Sequence, residues 1–182
     1  MNKCLFVGSF NPITIAHELI AKDLLKNKIV DYLYFLPVNS KKNDLKDIDI
    51  RIEMIKLIKN KKEDVLNIYN YSNTGLFNYD VLKKINLNIT HIVLGSDLFL
   101  NFKNFKNYKE ILKEYYIIVI NRDSDIRDYI KDNYKEYLDK IIIINKRYIG
   151  SSKKAKELLG SKNNIYLNSK VLDYINNNKL YI

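Results

Sequence analysis

The chain of 182 residues carries a formal net charge of +10, is 47% hydrophobic and contains one cysteine. Such a composition excludes disordered, collagen-like and low-complexity classes, and Cys4 without a partner can build neither a disulfide framework nor a thiolate metal site. No apolar run approaches the roughly 20 residues of a membrane helix and the N-terminus lacks a signal-peptide layout, so the expectation is one cytoplasmic domain over residues 1–182, with no membrane partner.

In chain order, Lys3-Cys4-Leu5-Phe6-Val7 predicts a strand, and His17 to Lys26 carries apolar residues at helical spacing. Between them stands GSFNPITIAH, residues 8 to 17. A chain with five glycines, two prolines and two histidines places one of each here. The stretch reads as a strand-to-helix turn, which aims backbone N–H groups and the positive end of a helix at an anion. Tyr32 to Val38 predicts a second strand, followed by the polar loop Asn39 to Asp44. Ile50, Ile52, Met54, Ile55, Leu57 and Ile58 mark a helix, with Asp47 or Asp49 as its N-cap. Val65 to Tyr69 reads as a strand, Leu76 to Ile85 as a helix, and His91 to Asp97 as a buried strand ending in a Gly-Ser-Asp turn. Tyr108 to Lys113 is helical, Tyr116 to Ile120 a strand, Ile126 to Tyr137 helical and Lys140 to Ile144 a strand, with helices over 151–160 and 169–177 closing the chain.

Continuous apolar strands, each followed by a helix, predict an α/β fold: a doubly wound parallel sheet covered on both faces. In that architecture ligands bind past the carboxyl ends of the strands, where the strand order switches. Gly8 to His17, Asn39 to Lys42 and Gly95 to Asp97 all fall at such ends. His17 at a helix start suits a bound phosphate, whereas His91 begins a buried strand without companions and reads as structural. Lys41 and Lys42 either neutralise phosphates or are solvated loop lysines. Asp97 either accepts from ribose hydroxyls or caps the next segment. Ser151 and Ser152 open a lysine-rich helix and offer hydroxyls and free N–H groups, or act as a serine N-cap. The chain has no Walker glycine-lysine motif, no GxGxxG and no metal-spaced His/Cys cluster. The lysines are spread along the chain with asparagine, isoleucine and tyrosine, so the charge reads as compositional bias and nucleic acid is not the expected partner.

GSFNPITIAH resembles the G-[ST]-F-[DN]-P-x-[HT]-x-G-H signature of the nucleotidyltransferase superfamily with HxGH or TxGH motifs. Further similarities follow in order. Gly95-Ser96-Asp97 with Phe102, Phe105 and Tyr108 is similar to the G-[AS]-D segment and aromatic stretch of nicotinate mononucleotide adenylyltransferases. Ser151-Ser152 with Lys156 resembles the ISSTxIR motif, and Val171 to Ile175 with Leu180-Tyr181 resembles the closing V-x-x-Y-I and L-Y signature.

The resemblance implies a Rossmann-like nucleotidyltransferase domain and an adenylyl transfer in NAD biosynthesis. The 5′-phosphate of a pyridine mononucleotide, with nicotinate mononucleotide the expected acceptor, attacks the α-phosphate of ATP and releases pyrophosphate. Mg²⁺ arrives on the ATP, without a protein cage. By motif position, His17, Thr14 and Lys42 would carry the chemistry. Gly8, Ser9, Phe10, Thr14, His17, Gly95, Asp97, Ser151, Ser152 and Lys156 would bind ATP. Asn11, Lys41, Asn78, Phe105 and Arg122 would face the pyridine nucleotide, Phe105 taking the place of a usual tryptophan. Ala16 stands where the motif has glycine, Gly150 and Lys153 replace usual residues, and Lys156 replaces arginine. Thr14 and the Asn39-Ser40-Lys41-Lys42 loop also resemble phosphopantetheine adenylyltransferases, which makes that activity one alternative. A non-catalytic relative that binds nucleotides or RNA is the other. A homo-oligomer is compatible with the sequence.

Overall fold

The structure is a computed structural model that describes residues 1–40, 44–121, 126–160 and 164–181. Its strands are β1 (Lys3–Gly8), β2 (Tyr32–Pro37), β3 (Glu63–Val65), β4 (Ile89–Gly95), β5 (Tyr116–Ile120) and β6 (Ile141–Ile144). They form one parallel sheet in the order β3-β2-β1-β4-β5-β6. The chain winds outward from β1 to one edge, returns, and winds outward from β4 to the other. Between β1 and β4 the crossovers change direction, which leaves a crevice above their carboxyl ends.

The α-helices are α1 (Ile15–Lys26), α2 (Ile48–Lys56), α3 (Tyr79–Lys84), α4 (Ser96–Phe99), α5 (Tyr108–Glu114), α6 (Arg127–Asn133), α7 (Ser152–Glu157) and α8 (Ser169–Asn177). Alternation along the central strands explains why helices must cover both faces. Leu5 and Val7 of β1, with Ile92 and Leu94 of β4, join a core containing Val81, Leu82, Ile111 and Leu112 of α3 and α5. Cys4 and Phe6, with Val93, join a second core containing Ile20, Leu24, Val171 and Ile175 of α1 and α8. Cys4 is fully buried, and burial pushes its thiol well above the ordinary range, so it is an inert core residue. No helix among the described residues is long and apolar enough to cross a membrane.

Several boundaries differ from the sequence reading, each for a local reason. The strand expected at Val65 to Tyr69 is Glu63–Val65, because Asn67 Oδ1 accepts from the Tyr69 N–H and starts a 3₁₀ turn at Ile68–Asn70. The helix expected from Leu76 begins at Tyr79, where Asn78 Oδ1 accepts from the Val81 N–H. The helix expected to reach Tyr137 stops at Asn133. Buried Tyr134 leaves helical geometry to pack against Phe99, and a 3₁₀ segment, Lys135–Lys140, follows. The Gly-Ser-Asp turn continues directly into α4, a helix too short for periodicity to reveal. The last two helices are Ser152–Glu157, shorter than expected, and Ser169–Asn177, as expected.

His91 is buried in β4, stacked on Tyr116 at 5.1 Å, with Nδ1 2.8 Å from Thr90 Oγ1. Burial lowers its pKa from the ordinary 6.5. The unfolded chain therefore takes up a proton at a pH where the fold refuses it, and this component of stability is lost as pH falls below about 6.5. Urea unfolding at about pH 7 and about pH 5 should show a larger loss in the wild type than in His91→Phe; equal losses would remove His91 as the cause.

Candidate active site

A cavity of about 560 Å³ lies over the β1/β4 switch. It is bordered by Gly8, Ser9, Phe10 and His17 of the first turn, by Val38, Asn39 and Ser40 after β2, by Gly95, Ser96, Asp97 and Asn101, and by Ser151, Ser152 and Lys153. Segments distant in sequence thus meet where the topology opens the sheet.

His17 occupies the third position of α1 and is 7% exposed. Its Nδ1 accepts from the Thr14 N–H at 3.0 Å and lies 2.8 Å from Thr14 Oγ1. A ring nitrogen that accepts from a backbone N–H cannot hold a hydrogen itself, so Nε2 carries it and is the donor. Phe10 supports the ring edge-on at 5.1 Å and contacts Phe6 and Phe35 in turn. A Cβ at Gly8 would lie 3.1 Å from the Phe10 ring, tighter than an ordinary contact.

The third wall follows from Gly150. Its φ is +115°, and a Cβ would meet the Tyr166 ring at 2.8 Å, so only glycine fits. The chain then enters α7 with the Ser151 hydroxyl capping the Lys154 N–H at 3.2 Å and the Ser152 hydroxyl donating to the Pro12 carbonyl at 2.8 Å. The latter bond ties the α7 start to the first turn. Asp97 is exposed at the start of α4, on the cavity border.

The expected site residues therefore divide. Gly8, Ser9, Phe10, His17, Gly95, Asp97, Ser151 and Ser152 come together around the cavity. Thr14 is buried behind His17. Lys156, expected on phosphates, instead pairs with Asp44 and lies over the Tyr181 ring, while Lys153 takes the cavity border. On the acceptor side, Asn11 is 3% exposed and engaged internally, donating to the Asp44 carbonyl and accepting from the Lys46 N–H and the Tyr181 hydroxyl. Asn78 caps α3, and Phe105 packs on Phe77 and Phe102. None of these three borders the cavity. Lys41, Lys42 and Arg122 lie outside the described residues. Ala16 points its methyl group into the α1-side core, away from the cavity.

Sequence reasoning missed Arg51 and Asn101, and took Lys153 only as a departure from the motif. An arginine at the buried-face spacing of α2, alongside Ile48, Ile52 and Ile55, was the one available signal for Arg51.

Residues 5–166 match the family model described as "Cytidylyltransferase-like". A Fusobacterium nucleatum protein named "Probable nicotinate-nucleotide adenylyltransferase" is 31% identical over 175 residues, covering 91% of this chain and 91% of its own. An Acholeplasma laidlawii protein of the same name is 29% identical over 189 residues, covering 97% and 96%. Among solved structures, Plasmodium falciparum nicotinic acid mononucleotide adenylyltransferase complexed with NaAD has a similar fold. Its TM-score is 0.73 at 24% identity, with 99% of this chain and 97% of that chain covered.

Gly150→Ala should destabilise the fold by about 1–3 kcal/mol through forced left-handed backbone and the Tyr166 contact, measured as a lower urea midpoint. An unchanged midpoint would show that the α7 entry does not depend on this geometry.

Proposed function

The chain belongs to the nicotinate-nucleotide adenylyltransferase family, within the cytidylyltransferase-like nucleotidyltransferases, and from that premise we propose how its residues perform the transfer. The enzyme joins ATP to a pyridine mononucleotide in a step of NAD biosynthesis, and nicotinate mononucleotide is its acceptor. The observation that carries this reading is the meeting of the first turn, the Gly-Ser-Asp turn and the Ser-Ser helix start around one cavity.

Adenylyl transfer asks little covalent work of a protein. It asks that the acceptor phosphate oxygen, the α-phosphorus and the leaving pyrophosphate oxygen lie in line, and that developing charge meet fixed donors. Gly8 and Ser9 let backbone approach the nucleotide. His17, with its tautomer set by Thr14, offers Nε2–H to phosphate oxygens as negative charge moves onto the pyrophosphate. The Ser151 hydroxyl, the N–H groups opening α7, that of Ser152 included, and Lys153 receive the β- and γ-phosphates, and Asp97 accepts from the adenosine ribose. Magnesium enters as part of the substrate, chelated by the triphosphate. Among the described residues no group of three or more His, Cys, Asp or Glu stands together to cage it. The proposed place of the reaction is the cytoplasm.

Pyrophosphate release from ATP should be fastest with nicotinate mononucleotide, slower with nicotinamide mononucleotide and absent with 4′-phosphopantetheine; no turnover with either pyridine nucleotide would overturn the proposal. His17→Ala should lower kcat by roughly 10²–10³, the cost of one preorganised donor, with a smaller change in KM. An unchanged kcat would remove His17 from the chemistry.

A further inference from the structure

Arg51 belongs to none of the motifs, yet its side chain is 1% exposed. From α2 it reaches between the ends of β1 and β2. Nε donates to the Lys46 carbonyl at 2.9 Å, Nη1 to the Ser9 and Val38 carbonyls at 2.9 Å each, and Nη2 to Asn39 Oδ1 at 2.8 Å. All four acceptors are electrically neutral. Arg51 forms no ion pair among the described residues, although Asp47 and two tyrosines lie near enough to influence it. Burial pulls its pKa down, but a guanidinium starts so high that it keeps its charge.

A buried cation without a carboxylate is costly unless something else offsets it. Three of its four partners, Ser9, Val38 and Asn39, border the cavity. Arg51 itself lines the adjoining polar groove of about 590 Å³, which shares Asn39 and Ser40 with the cavity. The positive charge therefore sits just behind the wall where the substrate phosphates would lie, in a region where protein rather than water screens it.

The same bonds also transmit position. Asn39, held by Arg51 through Oδ1, donates from Nδ2 to the Tyr69 hydroxyl at 2.8 Å and to the Thr74 carbonyl at 3.4 Å. Its backbone N–H donates to the Gly75 carbonyl at 2.8 Å. Gly75 has φ +69°, and a Cβ there would come within 2.4 Å of Asn39 Nδ2. One guanidinium thus fixes the margin after β1, the margin after β2 and, through Asn39, the segment leading to Asn78. A lysine could supply the charge but not four bonds in a planar fork.

We propose that Arg51 is a positioning residue for the transfer reaction: it clamps the Ser9, Val38 and Asn39 margin and gives that margin fixed positive charge, which the substrate phosphates balance. The inference rests on the adenylyl-transfer reading for its kinetic part only, since binding of the triphosphate tests it separately.

Arg51→Lys and Arg51→Met separate geometry from charge. Each would be compared with wild type for unfolding midpoint, for calorimetric affinity toward a non-hydrolysable ATP analogue with magnesium, and for kcat and KM with nicotinate mononucleotide. Arg51→Met should weaken analogue binding about tenfold, the worth of one charge-assisted interaction. Arg51→Lys should keep affinity within about threefold while kcat falls roughly 10²-fold through misplaced walls. Folded variants with wild-type affinity and kcat, differing only in unfolding midpoint, would overturn the proposal by reducing Arg51 to a stabilising residue. Should Arg51→Met fail to fold, Arg51→Lys decides alone: wild-type kcat in that variant overturns the proposal, and a lowered kcat with retained affinity supports it. Analogue binding by the wild type without turnover of any pyridine mononucleotide would count against the functional reading instead, and the affinity series would still test Arg51.

Discussion

The rest of the structure depends on holding the turn from Gly8 to His17 in one shape while leaving its polar face open. A turn at the carboxyl end of a buried strand cannot use the sheet for its hydrogen bonds, and buried polar groups left unpaired are costly. Other parts of the chain supply the partners. Arg51 takes the Ser9 carbonyl, the Lys46 N–H and Tyr181 hydroxyl take Asn11, Ser152 takes the Pro12 carbonyl, and the Tyr166 carbonyl takes the Ile15 N–H. His17 takes the Thr14 N–H. Satisfied from behind, the turn is held in one shape.

That arrangement explains why motif residues spread from one end of the chain to the other. Tyr181 has no place on the cavity border, yet its half-buried ring lies beside Lys46 and Lys156 and its hydroxyl reaches Asn11. Burial holds its hydroxyl protonated, with a pKa well above the ordinary value, so it stays a donor. The C-terminal segment is thus a prop for the first turn. A preorganised electrostatic site needs such props, because donors that must reorient during the reaction lose most of their effect.

The legible part of the fold was the sheet. Continuous apolar runs marked β1, β2, β4 and β5 closely, and the apolar residues on both faces required helices on both sides. Helix ends were less legible, because Asn67, Asn78 and Tyr134 set them through individual side-chain contacts that periodicity does not encode. The same distinction divides the site. Rare residues in one turn announced Gly8 through His17, and the helix start at Ser151 was visible from its hydroxyls. Asn11 read as a ligand contact because it sits in the motif, but its neighbours from residues 44, 46 and 181 are visible only once the chain is folded. Arg51 was hidden for a related reason: its acceptors are backbone carbonyls, and any sequence offers those. Ala16, the most visible departure from the motif, turns its methyl group into the core.

The central claim is that His17, held by Thr14 with Nδ1 as acceptor, presents Nε2–H to the triphosphate. With only two histidines in the chain, ¹⁵N NMR of the imidazole rings can follow His17 against His91 during titration with a non-hydrolysable ATP analogue. The account predicts an unprotonated Nδ1 and a protonated Nε2 in His17 before addition, a shift of that Nε2 resonance on binding, and a silent His91. A His17 ring with its hydrogen on Nδ1, or one that does not respond while the analogue binds, would contradict it.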